Sequence, residues 1–294
     1  MSSADATVTA HAVTKRFGSF VAVDDVSMTV SPGEVVGLLG AHGAGKTTLI
    51  RMLLGLLAPS EGYTEVLGGP PDRARRRRLG YVPQNLGLYR DLTVKENLAF
   101  ISTTYGVAVP AVPDRLTRYA STLVGQLPLG AQREIAFVAA LSHRPEVLLL
   151  DEPTSGVDAL ARAELWDTIR AQSDQGVGVL VTTHFMQEAQ QCDRLLLMSN
   201  GRLVAQGSEA DIIGDTRTYS VATQDWAATF AALNDAGVPV SLDGRSVRVP
   251  GADPAALAQL LRGAGITAAI EPVAATIEER MLVLARAADS SQPS

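Results

Sequence analysis

The chain has 294 residues, enough for one large domain and a small one, and its 46% apolar and 19% charged content fits a globular protein with a substantial core. A net charge of −6 argues against nucleic acid as an electrostatic partner, and the single cysteine, Cys192, excludes a disulfide within the chain and points to a reducing compartment. No run reaches the roughly 18 apolar residues of a membrane span, and Met1-Ser2-Ser3-Ala4-Asp5-Ala6 lacks the basic start and apolar core of a signal peptide.

In chain order, Val8–Phe17 and Val21–Val30 alternate as two strands around the turn Gly18-Ser19. Phe17 ends the first strand, and the sequence leaves two readings open: a core aromatic, or a ring that stacks on adenine. Ser31-Pro32-Gly33-Glu34 is a turn feeding the apolar strand Val35–Leu39. Gly40-Ala41-His42-Gly43-Ala44-Gly45-Lys46-Thr47 then fits G-x-x-x-x-G-K-[ST], with a helical apolar run from Thr48 to Leu54 behind it. Strand, glycine-rich turn and helix form the context of a phosphate-binding loop. Glycines let backbone N–H groups close around phosphate oxygens, and the helix aims its positive end at the same anion. Lys46 is expected to reach the β- and γ-phosphates and the Thr47 hydroxyl to ligate Mg²⁺.

A strand is expected over Tyr63–Leu67 and another over Leu79–Pro83, ending at Gln84. By itself Gln84 reads as a loop glutamine. The intervening Arg73, Arg75, Arg76, Arg77 and Arg78 read as a solvated helix face. Thr93-Val94-Lys95-Glu96 is a capping box that opens a helix to about Tyr105. Gly106–Pro128 is interrupted by prolines, with a short helix expected over Asp114–Leu123, and the next helix is expected from about Ala131 to Ser142.

Val147-Leu148-Leu149-Leu150 reads as a buried strand with two carboxylates, Asp151 and Glu152, at its C-terminal end, where ligands bind in an open α/β sheet. Beside a phosphate loop such a pair divides the work: Asp151 can hold Mg²⁺, and Glu152 can orient and polarise an attacking water. Asp158 can cap a helix to about Ser173. Val177–Thr183 is another buried strand, and it ends at His184 as the previous one ends at Glu152. Arg194–Ser199 and Arg202–Gln206 flank the hairpin dipeptide Asn200-Gly201, and Ser208–Ile213 is a short capped helix.

Beyond Asp215 the composition shifts. A strand over 217–222, a helix over Asp225–Asp235, a hairpin around Asp243-Gly244, a helix opening at Asp253-Pro254, a strand over Ile266–Ile270 and a last helix capped at Thr276 follow the split βαβ pattern, with a frayed tail at Ser290–Ser294.

Taken together, Val13-Thr14-Lys15-Arg16-Phe17-Gly18, the phosphate loop, Tyr81-Val82-Pro83-Gln84, Leu148 to Asp158 and Thr182-Thr183-His184 resemble the ATP-binding subunits of ABC transporters over residues 6 to about 213. Within that family the chain is similar to single-cassette subunits of drug, lipid and polysaccharide exporters. The resemblance implies an α/β P-loop NTPase fold over 1–215, with an antiparallel β subdomain and a shortened helical subdomain, and a small α+β domain over 216–294. It implies that ATP and Mg²⁺ are the cofactors and that Phe17, Gly40 to Thr47 and Thr48 hold the nucleotide. Thr47, Gln84 and Asp151 then serve the metal, Glu152 is the base, and His184 contacts the γ-phosphate. Leu129, Gly130 and Asp158 complete the site in trans, in a homodimer that sandwiches two ATP molecules. An integral-membrane permease is the implied partner, at the cytoplasmic face of the cell membrane, and nucleic acid is not.

Three departures stand out. The signature loop, usually Leu-Ser-Gly-Gly-Gln, is here Leu127-Pro128-Leu129-Gly130-Ala131, followed by Gln132-Arg133-Glu134. Gly106–Leu127 is short for the usual helical subdomain. His42 stands where the family has asparagine, with a mild effect expected. These leave two alternatives beside a transport ATPase: a nucleotide-binding, weakly hydrolysing partner in a heterodimer, and a non-transport ABC ATPase acting on ribosomes or DNA.

Overall fold

The computed structural model describes residues 6–289; the tail expected at Ser290–Ser294 lies outside the described residues. The chain divides into two compact units between Gln206 and Gly207.

The first unit begins with the hairpin β1 (Val8–Phe17) and β2 (Phe20–Val30), followed by β3 (Val35–Leu39), α1 (Lys46–Leu53) and β4 (Glu61–Val66). After them come α2 (Arg73–Arg76), β5 (Leu79–Val82), α3 (Val94–Tyr105), α4 (Leu129–Leu141), β6 (Val147–Asp151), α5 (Ala159–Asp174), β7 (Gly178–Thr183), β8 (Arg194–Ser199) and β9 (Arg202–Gly207). Three strands form an antiparallel sheet in the order β2-β1-β4, and six form a second sheet in the order β5-β6-β7-β3-β8-β9. In the second sheet β5, β6, β7, β3 and β8 run parallel. Their C-terminal ends therefore share one edge, from which the segments carrying Gln84, Glu152, His184 and the phosphate loop all depart.

A parallel strand covered on both faces reads as an unbroken apolar run, because neither set of alternating side chains meets water. β6 is the clearest case. Val147 and Leu149 join Val36, Leu38 and Leu180 in a layer filled by α1 and the antiparallel sheet. Leu148 and Leu150 join Phe137, Trp166 and Ile169 of α4 and α5 on the other face. The hairpin β8–β9 turns at Asn200 and Gly201, both at positive φ (47° and 80°), the pair that the two-residue turn needs to match strand twist.

The capping box at Thr93 is present: its side chain accepts from Glu96 N–H while the Glu96 carboxylate accepts from Thr93 N–H. Between α3 and α4 there are no further α-helices, only 3₁₀ turns at Asp114–Tyr119 and Val124–Gln126. Leu116, Val124 and Leu127 fix this segment to Val94, Leu98 and Ile135. The helix expected from Ala131 starts two residues earlier, with Pro128 as its N-cap, so Leu129 and Gly130 belong to its first turn.

The second unit contains α6 (Glu209–Ile213), β10 (Thr218–Ala222), α7 (Trp226–Asp235), β11 (Ser241–Asp243), β12 (Ser246–Pro250), α8 (Pro254–Gly263), β13 (Ala269–Val273) and α9 (Ile277–Asp289). Its antiparallel sheet has the order β11-β12-β10-β13. Each βαβ unit is thereby split by one strand: β12 lies between β10 and β11, and β10 lies between β12 and β13. The strand expected over Ile266–Ile270 runs three residues later. Gly265, at φ +72°, ends α8, and Ile266 N–H bonds back to Leu261 O, so Ile266 belongs to the helix terminus. Pro272 is tolerated in β13 because this is an edge strand.

Candidate functional site

The phosphate loop leaves β3 at Gly40 and enters α1 at Lys46. Gly45 is the N-cap, at φ 102°; no side chain caps the helix and no acid lies in its first turn. The free N–H groups and positive end of α1 thus face the loop's interior with no capping side chain on them. The loop has no room for side chains where it crosses its neighbours. A Cβ on Gly40 would lie 2.4 Å from Met198 O, and one on Gly45 2.4 Å from Ala22 O.

Lys46 is buried, and its Nζ donates to Gly40 O (2.7 Å) and Ala41 O (3.1 Å). It also lies 3.8 Å from Glu152 Oε1. Burial pulls the Lys46 pKa below its ordinary value, against the charges of Glu152 and Asp151, which raise it. A cation held at that cost gains strongly from an anion delivered to the loop, which suits a polyphosphate.

Thr47, one residue on, donates from Oγ1 to Asp151 Oδ1 at 3.2 Å. Asp151 ends β6 with 1% of its surface exposed, and its Oδ1 also accepts from Thr182 Oγ1 at 2.8 Å. A hydroxyl and a buried carboxylate oxygen converging beside the phosphate loop are hard oxygen donors, a set that fits Mg²⁺.

Glu152 turns out of the strand with φ +50°, a strained value for a residue with a side chain. Its N–H donates to Thr182 Oγ1 at 2.9 Å, which pins the strained backbone. Its two carboxylate oxygens face different partners. Oε1 looks toward Lys46; Oε2 accepts from Gln84 Nε2 at 3.3 Å and lies 3.2 Å from His184 Nδ1. That last approach is close but not aligned as a hydrogen bond: His184 Nδ1 is sealed from solvent and has no hydrogen-bond partner.

Gln84 and His184, far from Glu152 in sequence, are thus both brought against its Oε2, while its Oε1 faces Lys46. Gln84 and Glu152 border a cleft of about 310 Å³, lined also by His42, Gly43, Ala44, Gly45, Lys46, Thr47, Thr48, Phe20 and Ala22. Phe17 is half-exposed at the end of β1, paired across the hairpin with Phe20, and carries the Lys15 ammonium 5.3 Å from its ring centroid. Leu129, Gly130 and Asp158 are not part of this cleft. They gather at the first turns of α4 and α5, where Asp158 accepts from Ala161 N–H at 2.9 Å as the N-cap of α5. A Cβ on Gly130 would touch Ala161, and one on Gly156 would press on Leu129.

Three residues were not legible as part of the site. Thr182 looked like ordinary strand, though a hydroxyl opposite the paired carboxylates is a usable signal. Phe20 falls between the turn Gly18-Ser19 and the strand expected from Val21. Arg133 is buried, donating from Nη2 to Ser155 O at 3.0 Å, while its Nε and Nη1 have no partner. Burial lowers its pKa, and the Glu152 charge opposes that shift.

Known proteins resemble this chain in sequence and in fold. Residues 23–155 match the ABC transporter family. The Nod factor export ATP-binding protein I of Burkholderia lata is 42% identical over 214 residues, 68% of this chain and 70% of that protein. This chain belongs to the ABC transporter ATP-binding proteins. A probable multidrug ABC transporter ATP-binding protein of Escherichia coli, YbhF, is 43% identical over 217 residues, and the match spans 70% of this chain but only 38% of that relative's length. Among solved structures, an ATP-binding subunit of an ABC transporter superposes with a TM-score of 0.65 at 29% identity, covering 70% of this chain and 92% of the other. A dimeric cassette in a post-hydrolysis state, bound to ADP and Pi, has the same fold, with a TM-score of 0.60 at 24% identity. No helix among the described residues is long and apolar enough to span a bilayer.

Proposed function

We propose that this chain binds and hydrolyses ATP and uses the cycle to power a separate membrane-spanning subunit of an exporter, working at the cytoplasmic face of the membrane. The observation that carries the reading is the convergence of Gln84 and His184 on one carboxylate oxygen of Glu152, whose other oxygen faces the phosphate-loop lysine, at the shared C-terminal edge of the parallel strands. The relatives named for multidrug and Nod factor export favour export as the direction.

In this reading the loop N–H groups and Lys46 bind the β- and γ-phosphates. Mg²⁺, held by Thr47 and Asp151 with Gln84 alongside, supplies charge neutralisation on the phosphate oxygens. Glu152 accepts the proton of a water aligned with the γ-phosphorus, and His184 contacts the γ-phosphate. Phe17 stacks on adenine, with Phe20 on the same wall. Leu129, Gly130 and Asp158 act on the ATP of a second copy, closing a dimer that reopens after hydrolysis. Gln84 reports the state of the site to the membrane partner. An apolar groove of about 240 Å³ lies beside it, lined by Tyr81, Pro83, Leu88, Ile101 and Tyr105 among others, and suits an inserted helix of that partner.

The test is Glu152→Gln. It is expected to keep ATP binding, to lower turnover by at least about 100-fold, and to accumulate as an ATP-bound dimer in size-exclusion chromatography. Wild-type turnover in that variant overturns the base assignment. A second reading, a weakly hydrolysing partner in a heterodimer, rests on the Pro128-Leu129 substitution in the signature loop. Negligible turnover of the wild-type chain alone, restored by a different cassette, favours it.

A further inference from the structure

His42 is not accounted for by phosphate binding, and its surroundings give it a use. The imidazoles of His42 and His184 lie 4.8 Å apart between ring centroids. Their nitrogens and a Glu152 carboxylate oxygen all fall within 4.8 Å of one another. His184 Nδ1 is buried, 3.2 Å from Glu152 Oε2, and makes no hydrogen bond. A sealed imidazole nitrogen beside a buried carboxylate with no hydrogen bond of its own is an unsatisfied polar atom, and an ion bonded to both would satisfy it.

We propose that His42, Glu152 and His184 form a binding site for a divalent transition-metal ion of the zinc class, which holds the nucleotide-free cassette inactive. Two imidazoles and one carboxylate with a fourth position open is a donor set that zinc accepts. Metal–ligand bonds of about 2.0–2.2 Å put tetrahedral donor atoms about 3.4 Å apart. His184 and Glu152 are already near that spacing. The remaining closure falls to His42, an exposed side chain on a loop.

The donor chemistry separates this ion from Mg²⁺. Mg²⁺ seeks hard oxygens and suits the Thr47–Asp151 side of the cleft, whereas imidazole favours zinc-like ions. Within Glu152 the two oxygens are already divided: Oε1 faces the Lys46 ammonium and Oε2 faces His184. The zinc-class ion takes Oε2 and displaces the Gln84 amide from it. It ties down the loop residue His42 and occupies the carboxylate assigned as the base. Binding of the metal does not depend on that assignment; its effect on turnover does.

The test uses tag-free full-length protein, without nucleotide, titrated with Zn²⁺ by calorimetry and with Co²⁺ by visible absorption. The other two histidines lie elsewhere, His11 stacked on Tyr63 and His143 on Tyr105, and the thiol of Cys192 is mostly buried and pushed up to about 12. The expected result is one ion per chain, with Co²⁺ bands of a low-coordinate site, and an affinity lowered at least about tenfold in His42→Asn and in His184→Ala. His42→Gln serves as a second loop variant, and circular dichroism checks the fold of each. ATP hydrolysis by the wild type is expected to fall on adding Zn²⁺ and recover with a chelator, with a weaker response in His42→Asn relative to its own metal-free rate. No stoichiometric binding by the wild type, or equal Zn²⁺ affinity in wild type and both His42 variants, overturns the proposal. Metal binding in a chain that hydrolyses no ATP leaves the site standing and counts against the ATPase reading instead.

Discussion

A single threonine hydroxyl ties the two strand-end acids together. Thr182 is fully buried, donates to Asp151 Oδ1 and accepts from Glu152 N–H, so it orients one carboxylate and holds the strained backbone of the other. Thr182→Val keeps the shape and removes both bonds, leaving a buried N–H unpaired at a cost of about 1–3 kcal/mol. The expected outcome is that loss in urea unfolding, together with turnover reduced more strongly than ATP affinity; unchanged unfolding and turnover would show the hydroxyl to be idle. Legibility differed sharply at this scale. Lys46 and Thr47 could be picked out because they close the phosphate-loop pattern, and Asp151 and Glu152 because they stand at the end of a buried strand. Thr182 and Arg133 could not, because their importance lies in what they touch across the sheet, which local sequence does not encode. His184 could be picked out by analogy with Glu152, as a polar residue ending a buried strand, and by the family motif Thr182-Thr183-His184.

Among elements, the parallel strands were the most legible and the segment between α3 and α4 the least. β3, β6 and β7 are covered on both faces and so appear as apolar runs with sharp ends. Residues 106–128 are held by prolines, 3₁₀ turns and a few anchoring side chains, none of which leaves a period to read. The α4 and α5 termini show how one residue can carry two roles. Asp158 caps α5 here, and in the proposed dimer it also faces the second copy. Asp158→Ala is expected to lose about 1 kcal/mol of stability as a missing N-cap. Asp158→Asn retains the cap, since asparagine caps as well as aspartate, and is expected to match the wild type in urea unfolding. If the carboxylate also acts in trans, Asp158→Asn weakens ATP-driven dimerisation of a Glu152→Gln background, measured by size-exclusion chromatography. Equal dimerisation with and without the change assigns Asp158 to the helix alone.

At the scale of the whole molecule the two units are held together internally by different means, and they are expected to respond differently to acid. The first unit rests on large apolar layers on both faces of its six-stranded sheet. The second has a smaller apolar core and a buried ion pair. Glu279 is buried on α9, bonded by Arg248 through Nε to Oε1 and through Nη2 to Oε2 at 3.1 Å, by Thr218 Oγ1 at 3.1 Å and by Thr276 N–H at 2.9 Å. Burial pushes its pKa up, but Arg248 and the other donors outweigh that and hold it below the ordinary value of 4.5. The sign follows from which state takes up the proton. As pH falls through 4.5 the unfolded Glu279 protonates first, so the stabilisation is complete above that value and is lost toward the lower, folded pKa. Calorimetry is expected to show a transition for the second unit that moves down in temperature between pH 5 and pH 3. In Glu279→Gln that unit is expected to be weaker at neutral pH, by about 1–3 kcal/mol for the lost charge-assisted bonds from the partly buried Arg248, and flatter across the same acid range. Parallel pH curves for wild type and Glu279→Gln would place the acid sensitivity in another carboxylate. Arg248→Met/Glu279→Leu, replacing both partners with apolar residues, separates the charge effect from packing: it is expected to restore stability at pH 7 and to keep the flat acid response, because no other carboxylate among the described residues of the second unit is buried.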